Sequence, residues 1–369
     1  MVKVSEFSFP NIVTAHAFNG DRSQVAVCMD SSEVHIYQRA GTNQWQKIQE
    51  LKEHDLTVTC VDWAPQTNRI VTCSQDKNAY VWTFDEIRNV WKPTLVHLRL
   101  DRAATFVRWS PNEDKFAVGS GSKSIAVCYF GEDNDWWVSK HIKKPLTSTV
   151  LCIAWHPNNV LLACGGADSK ARVFSAYVKG VDQKPAPSVW GERLPFNTLC
   201  GEYESLANGW VHGVAFSPSG NELAFIAHDS TLNFAYPEHN QAVSIRSTSL
   251  PFKSISWPAD HVVLVSGHDC TPVIYVQTEK GWVTGKKVDD SRNTSRPISP
   301  SSSSGNSAFN IFRQMDSRKQ ASAAGIGGAS SSTHQNTITD LRSEGVSGQG
   351  FQFSTSSLEG KLVEWSVSA

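Results

Sequence analysis

The 369-residue chain sets 34 Lys and Arg against 35 Asp and Glu, a formal net charge of -1. That length allows two or three small domains or one large all-β ring, and the near-neutral balance argues against a general nucleic-acid binder while leaving room for a local basic patch. Charged residues make up only 19% of the chain and Trp alone counts 13, which favours strands over helical bundles. No apolar run approaches the length of a bilayer span, so no membrane span is expected. Met1 to Asn11 lacks the basic start and apolar stretch of a signal peptide. The eight Cys form no CxxC pair, and most sit in strand-like runs such as Val58 to Trp63. They read as buried free thiols in a reducing compartment, which predicts a cytoplasmic protein.

From the N-terminus, Val4 to Phe9 alternates polar and apolar residues and precedes the first complete unit of a repeat. The repeat then dominates the chain. Its clearest copies are Thr59-Cys-Val-Asp-Trp-Ala-Pro65, Thr105-Phe-Val-Arg-Trp-Ser-Pro111 and Leu151-Cys-Ile-Ala-Trp-His-Pro157. An aromatic column runs Phe18, Trp63, Trp109, Trp155, Phe216 and Trp257, with steps of 45, 46, 46, 61 and 41, and a weaker seventh copy ends at Leu341. A second column, Tyr37, Trp82, Tyr129, Phe174, Ala235, Tyr275 and Trp365, follows the first by 18 to 24 residues. Asp76, Asp168, Asp229 and Asp269 stand six residues before it in polar turns.

The second unit shows the plan: strands over Val58 to Trp63, Arg69 to Cys73, Asn78 to Thr83 and Trp91 to Leu100, each bounded by turn residues. Four short strands repeating every 40 to 45 residues are the pattern of a propeller blade, and seven copies predict a seven-bladed, all-β propeller forming one domain over 1–369. The seventh copy leaves no room for a fourth strand after Trp365, so Val4 to Phe9 is expected to supply it and lock the chain ends together.

Two long steps mark insertions. Lys179 to Pro187 reads as an ordinary surface excursion. The other, placed in the last blade over residues 285–335, holds 13 Ser between Ser291 and Ser332 and reads as a flexible insert. Within it, Ala308, Ile311, Phe312 and Met315 fall on one helical face with Phe309 beside it, predicting a short helix near 307–320. Ser307 caps its start, and Arg318 and Lys319 suit its end. The stripe has two readings, folding back on the propeller or docking a partner protein. So short a helix needs a surface to fold against.

The blade pattern resembles the WD40 family, weakly written: only Trp82 and Trp365 are Trp in the third-strand column, and neither precedes Asp. The resemblance suggests a buried hydrogen-bond network of His54, Asp76 and Trp82. Further runs, including Glu33-Val-His-Ile-Tyr37, Asn78-Ala-Tyr-Val-Trp82, Lys115-Phe-Ala-Val-Gly-Ser-Gly121, His156-Pro-Asn-Asn-Val-Leu-Leu162 and Gly209-Trp-Val-His-Gly213, are similar to the WD-repeat subunit family of the actin-related protein 2/3 complex, over essentially the whole chain. That resemblance implies a non-catalytic scaffold in the actin cytoskeleton. The implied partners are other subunits of the complex, the actin filament through the insert (Phe309, Ile311, Phe312, Met315), and acidic nucleation-promoting factors.

Other signals are weaker. Gly119-Ser-Gly-Ser-Lys-Ser124 lacks the Gly before Lys that a phosphate loop needs, and it falls at a strand-to-strand turn. The twelve His show no metal spacing and no GxSxG elbow is present, so no catalytic residue, metal or cofactor is indicated. Basic residues near Arg102 and near Lys143 and Lys144 read as solvated loops on the sequence alone, and the resemblance brings a patch for an acidic peptide level with that reading. The alternatives to the scaffold are a WD-repeat adaptor or substrate receptor of another assembly, and a propeller enzyme, which needs a convergent polar pocket in the central channel.

Overall fold

A computed structural model describes residues 2–133, 135–287, 332–347 and 350–368. The described residues form seven four-stranded antiparallel sheets arranged as the blades of a β-propeller. The inner strands are Ala15–Phe18, Val58–Ala64, Ala104–Trp109, Val150–Trp155, Val211–Phe216, Phe252–Ala259 and Ile338–Ser347. Each packs beside the next, and the seventh packs back on the first, closing the ring. The first aromatic column lies on these inner strands, and the second lies on the third strands. A single sheet has two apolar faces and no way to cover both, so neighbouring blades supply the cover. The contact is close: a Cβ on Gly165 would meet Val211 Cγ1 of the next blade at 2.4 Å, which keeps that position to glycine.

The ring closes through the chain ends. Val2–Ser8 pairs antiparallel with Lys361–Ser368, from Val2 opposite Ser366 to Ser8 opposite Lys361, as the outer strand of the seventh blade. Glu364 reinforces the joint, accepting hydrogen bonds from Ser5, from Arg22 at 3.3 Å and from Arg39 at 2.5 Å.

In the second blade the strands are Val58–Ala64, Arg69–Ser74, Ala79–Asp85 and Val90–Val96. The last ends four residues short of the expected Leu100. Leu98 and Leu100 are apolar because both are buried, yet they belong to the passage into the third blade.

The excursion after the fourth blade's third strand also differs from expectation. Lys179, Gly180, Lys184 and Pro187 are exposed, but the segment is pinned. Asp182 forms an ion pair with Lys115 of the third blade, both side chains being almost wholly buried. Asp182 also accepts from Asn159 Nδ2 at 2.9 Å, and Trp190 Nε1 donates to the Gly220 carbonyl of the fifth blade at 2.7 Å. The segment is therefore a strap across three blades, and the buried Trp190 and Asp182 are its anchors.

Antiparallel order fixes two faces. Connections from an outer strand to the next inner strand share one face, here the connection face, with the hairpin turns between second and third strands. The Ser-rich insert departs from that face, between Gly281–Lys287 of the sixth blade and Ile338–Ser347 of the seventh. Residues 288–331 lie outside the described residues, and with them the expected helix and its Phe309, Ile311, Phe312 and Met315.

Candidate interaction face and central channel

The second blade holds a buried polar chain. His54 Nδ1 lies 2.7 Å from the Asp76 carboxylate, His54 Nε2 lies 2.8 Å from Thr72 Oγ1, and Trp82 Nε1 donates to Thr72 at 3.0 Å. Thr72, which the repeat columns do not mark, is the hub. The seventh blade repeats the arrangement around Trp365, with His334 and Thr355 as partners those columns do not mark: His334 Nε2 is 2.7 Å from Thr355 Oγ1, to which Trp365 Nε1 donates at 2.8 Å. The two blades with Trp in the third-strand column are the two with this chain. A Thr ten residues before each Trp was the available signal. Each chain lets a large indole lie in the core with its N–H satisfied.

The column of turn acids has a common structural task. Asp76 accepts from the Asp55 amide at 3.2 Å, Asp229 from the Ala207 amide at 3.0 Å, and Asp269 from the Leu250 amide at 3.2 Å. Asp168 accepts from the Thr147 hydroxyl at 2.6 Å. Glu359 does the same for Gln335 at 2.9 Å, and Ser122, within the glycine-rich Gly119–Ser124 run, accepts from the Arg102 amide at 2.7 Å. Each therefore staples the incoming connection to its own blade. The residue after each one adopts positive φ, from 56° at Lys123 to 84° at Gly360, as a tight hairpin turn demands. Ser122 thus ends the phosphate-loop reading: its hydroxyl is used in holding Asp101 and Arg102.

Arg102, Lys143 and Lys144 are all exposed and all lie on the connection face, Arg102 in the passage into the third blade and the two lysines in the passage out of it. They are not bonded to one another, and none has an ion-pair partner among the described residues.

The central channel contains a cavity of about 790 Å³ lined by the inner strands. On the wall formed by blades seven, one, two and three, its charges neutralise each other. Arg342 reaches Asp62 at 2.7 Å and Asp340 at 3.0 Å, and donates to the Val61 carbonyl at 2.9 Å. Arg108 stands 3.7 Å from Asp340. Burial pushes the Asp340 carboxyl up, but Arg342 and Arg108 outweigh it and hold it at about 2. His16 is fully buried between Ser356 at 3.0 Å and Ser354 at 2.8 Å, and burial lowers its pKa to about 3, so it is neutral at pH 7.

Among the described residues one half-buried group has metal-ligand geometry: Glu33, His35 and Glu50 place ligand atoms within 4.8 Å of one another. Lys52 already pairs with both carboxylates, at 3.1 and 2.5 Å, and Lys47 pairs with Glu50 at 2.5 Å. Hydrogen bonds from these lysines hold the Glu50 pKa at about 2. A cation there would have to displace two lysines.

Blade count, closure by the N-terminal strand and the His–Thr–Trp chains define a WD-repeat β-propeller. A family model described as "WD domain, G-beta repeat" matches residues 45–83 and 138–175, each running from an outer strand to the third strand of the next blade. The chain is 47% identical over 358 residues to actin-related protein 2/3 complex subunit 1A-B of Xenopus laevis, covering 96% of this chain and 93% of the relative. It is 45% identical to actin-related protein 2/3 complex subunit 1 of Schizosaccharomyces pombe, covering 95% and 96%. It is 38% identical to subunit 1B of Arabidopsis thaliana, covering 100% and 97%. The chain belongs to the subunit 1 family of the actin-related protein 2/3 complex.

Proposed function

We propose that the chain is a non-catalytic scaffold subunit of the actin-related protein 2/3 complex, supporting nucleation of branched actin filaments in the cytoplasm. Full-length identity to relatives named as subunit 1 carries this reading. The ring's construction supports it. Blades are stapled turn by turn and closed by the chain's own N-terminus, which gives a rigid body for holding neighbouring subunits. On the connection face, Arg102, Lys143 and Lys144 form the patch for acidic segments of nucleation-promoting factors. The insert leaves the same face, and its apolar stripe of Phe309, Ile311, Phe312 and Met315 docks on an actin surface.

Reconstitution with the remaining subunits tests this. The chain is expected to co-purify in a stoichiometric complex; failure to enter it defeats the scaffold reading. Reversing the charge of Arg102, Lys143 and Lys144 together is expected to preserve assembly but weaken binding of an acidic activator peptide. The loss should be largest at low salt, where exposed charges are least screened. Replacing Phe312 with Asp is expected to preserve assembly while lowering branch density seen by microscopy. Unchanged activator affinity and salt dependence would make the patch ordinary solvated surface.

A further inference from the structure

Across the channel from its paired charges, blades five and six gather basic groups that form no ion pair among the described residues. Lys253 lines the cavity at the start of the sixth inner strand, beside His212 and Trp210 at the start of the fifth. His212 Nε2 lies 2.9 Å from His228 Nδ1, and the His228 and His268 rings are 6.3 Å apart. His268 Nδ1 is 3.2 Å from the Thr337 hydroxyl. This leaves Nε2 of His228 and of His268 without a partner among the described residues.

The nearby acids are already engaged. Asp229 accepts from Ala207 and Thr231, and Asp269 accepts from Leu250. Lys253 is exposed at the channel mouth, and among the described residues it has neither an ion-pair nor a hydrogen-bond partner. Burial, with His228, Lys253 and His268, holds His212 at about 4. An exposed cation with no ion-pair partner can take an anion from solvent without first breaking a contact of its own.

We propose that this side of the channel mouth is a binding site for a phosphate monoester of a small molecule. Lys253 supplies the fixed charge, His228 and His268 donate hydrogen bonds, and Trp210, 55% exposed, offers an apolar wall to the organic part. Several donors converging from two blades suit the three terminal oxygens of a phosphate better than a two-oxygen carboxylate.

The test uses the full chain at constant ionic strength in chloride buffer near neutral pH. Glycerol phosphate and inorganic phosphate are the probes and acetate is the control, followed by tryptophan fluorescence and by NMR of the histidine ring protons. Both phosphates are expected to bind saturably, moving the His228 and His268 signals, with acetate at least about tenfold weaker, a difference of about 1.4 kcal/mol. Lys253→Met and His228→Gln should each weaken binding several-fold, and Lys253→Arg should retain it. Without probe, Lys253→Met should melt no lower than wild type, because it removes an unpaired charge. Absence of saturable binding overturns the site. So does equal binding of acetate, binding of inorganic phosphate without glycerol phosphate, or wild-type affinity in Lys253→Met. Should His228→Gln fail to fold, the contrast between the Met and Arg variants of Lys253 still decides.

Discussion

The two walls of the channel carry charge in opposite ways. On one, Asp62, Arg108, Asp340 and Arg342 come from three blades and satisfy one another, with Arg342 at the centre. On the other, Lys253 and three histidines stand together with no ion-pair partner among the described residues. The paired wall couples blades that are distant in sequence: Arg342 and Asp62 are 280 residues apart and bridge the last blade to the second across the first. It works as an internal register for the ring. The unpaired wall contributes nothing comparable to closure, and its charges are available to something from outside.

The sharpest way to break the contrast is to remove the centre of the paired wall. Arg342→Met leaves Asp62 and Asp340 buried without their main partner, and breaking a buried pair in this way costs about 3–5 kcal/mol. We expect a large fall in the urea midpoint. The double variant Arg342→Met, Asp340→Asn should recover part of it, since fewer uncompensated charges remain. The same truncation at Lys253 should cost little or nothing. Equal losses at the two positions would show that the walls do not differ.

Second in size is closure by strand rather than by charge. Deleting Met1 to Phe9 removes the pairing with Lys361–Ser368 and the Ser5 contact to Glu364, and exposes an edge strand. A loss of several kcal/mol or concentration-dependent aggregation is expected, since such a loss rivals the whole stability of a typical domain. An unchanged melting temperature would mean that the ion-paired wall closes the ring without help from the strand.

Much of this was legible from the chain. The two aromatic columns mark inner and third strands because the blades place a large apolar residue at each level, Ala235 of the fifth blade excepted, and the missing last strand pointed to the N-terminus. The channel walls were not legible. Asp62, Arg108 and Arg342 sit in inner-strand copies where they look like isolated polar substitutions, and only ring closure makes them neighbours. His212, His228 and His268 likewise belong to two blades, 16 and 40 residues apart, with no spacing that marks a cluster. The strap of Asp182 and Trp190 escaped for a related reason. Its Pro- and Gly-containing stretch looks like any loop, and its anchors are buried by partners from other blades. Periodicity reveals what each blade shares, whereas these features arise from what single blades do differently.

The smallest expected effect concerns protons on the paired side. His16 and His334 are buried neutral, and burial lowers both from 6.5 to about 3; Asp340 opposes this at His16, whereas Arg342, Arg22 and Arg108 reinforce it. For His334, Lys361 also lowers the value and Glu6 opposes it. The unfolded chain therefore binds protons below pH 6.5 that the folded ring refuses until about pH 3. Stability is fully present above pH 6.5 and is lost as pH falls, at about 1.4 kcal/mol per pH unit for each histidine. His16→Gln keeps a side chain that can bond to Ser354 and Ser356 but removes one titration. At neutral pH it should be modestly less stable than wild type. Between about pH 6 and pH 4 its stability should fall less steeply, by about 1.4 kcal/mol per unit, so that the two curves converge or cross on acidification. Urea denaturation at a series of pH values measures this directly. Parallel curves would mean that His16 takes up its proton in the folded ring, with Asp340 outweighing burial and the three arginines.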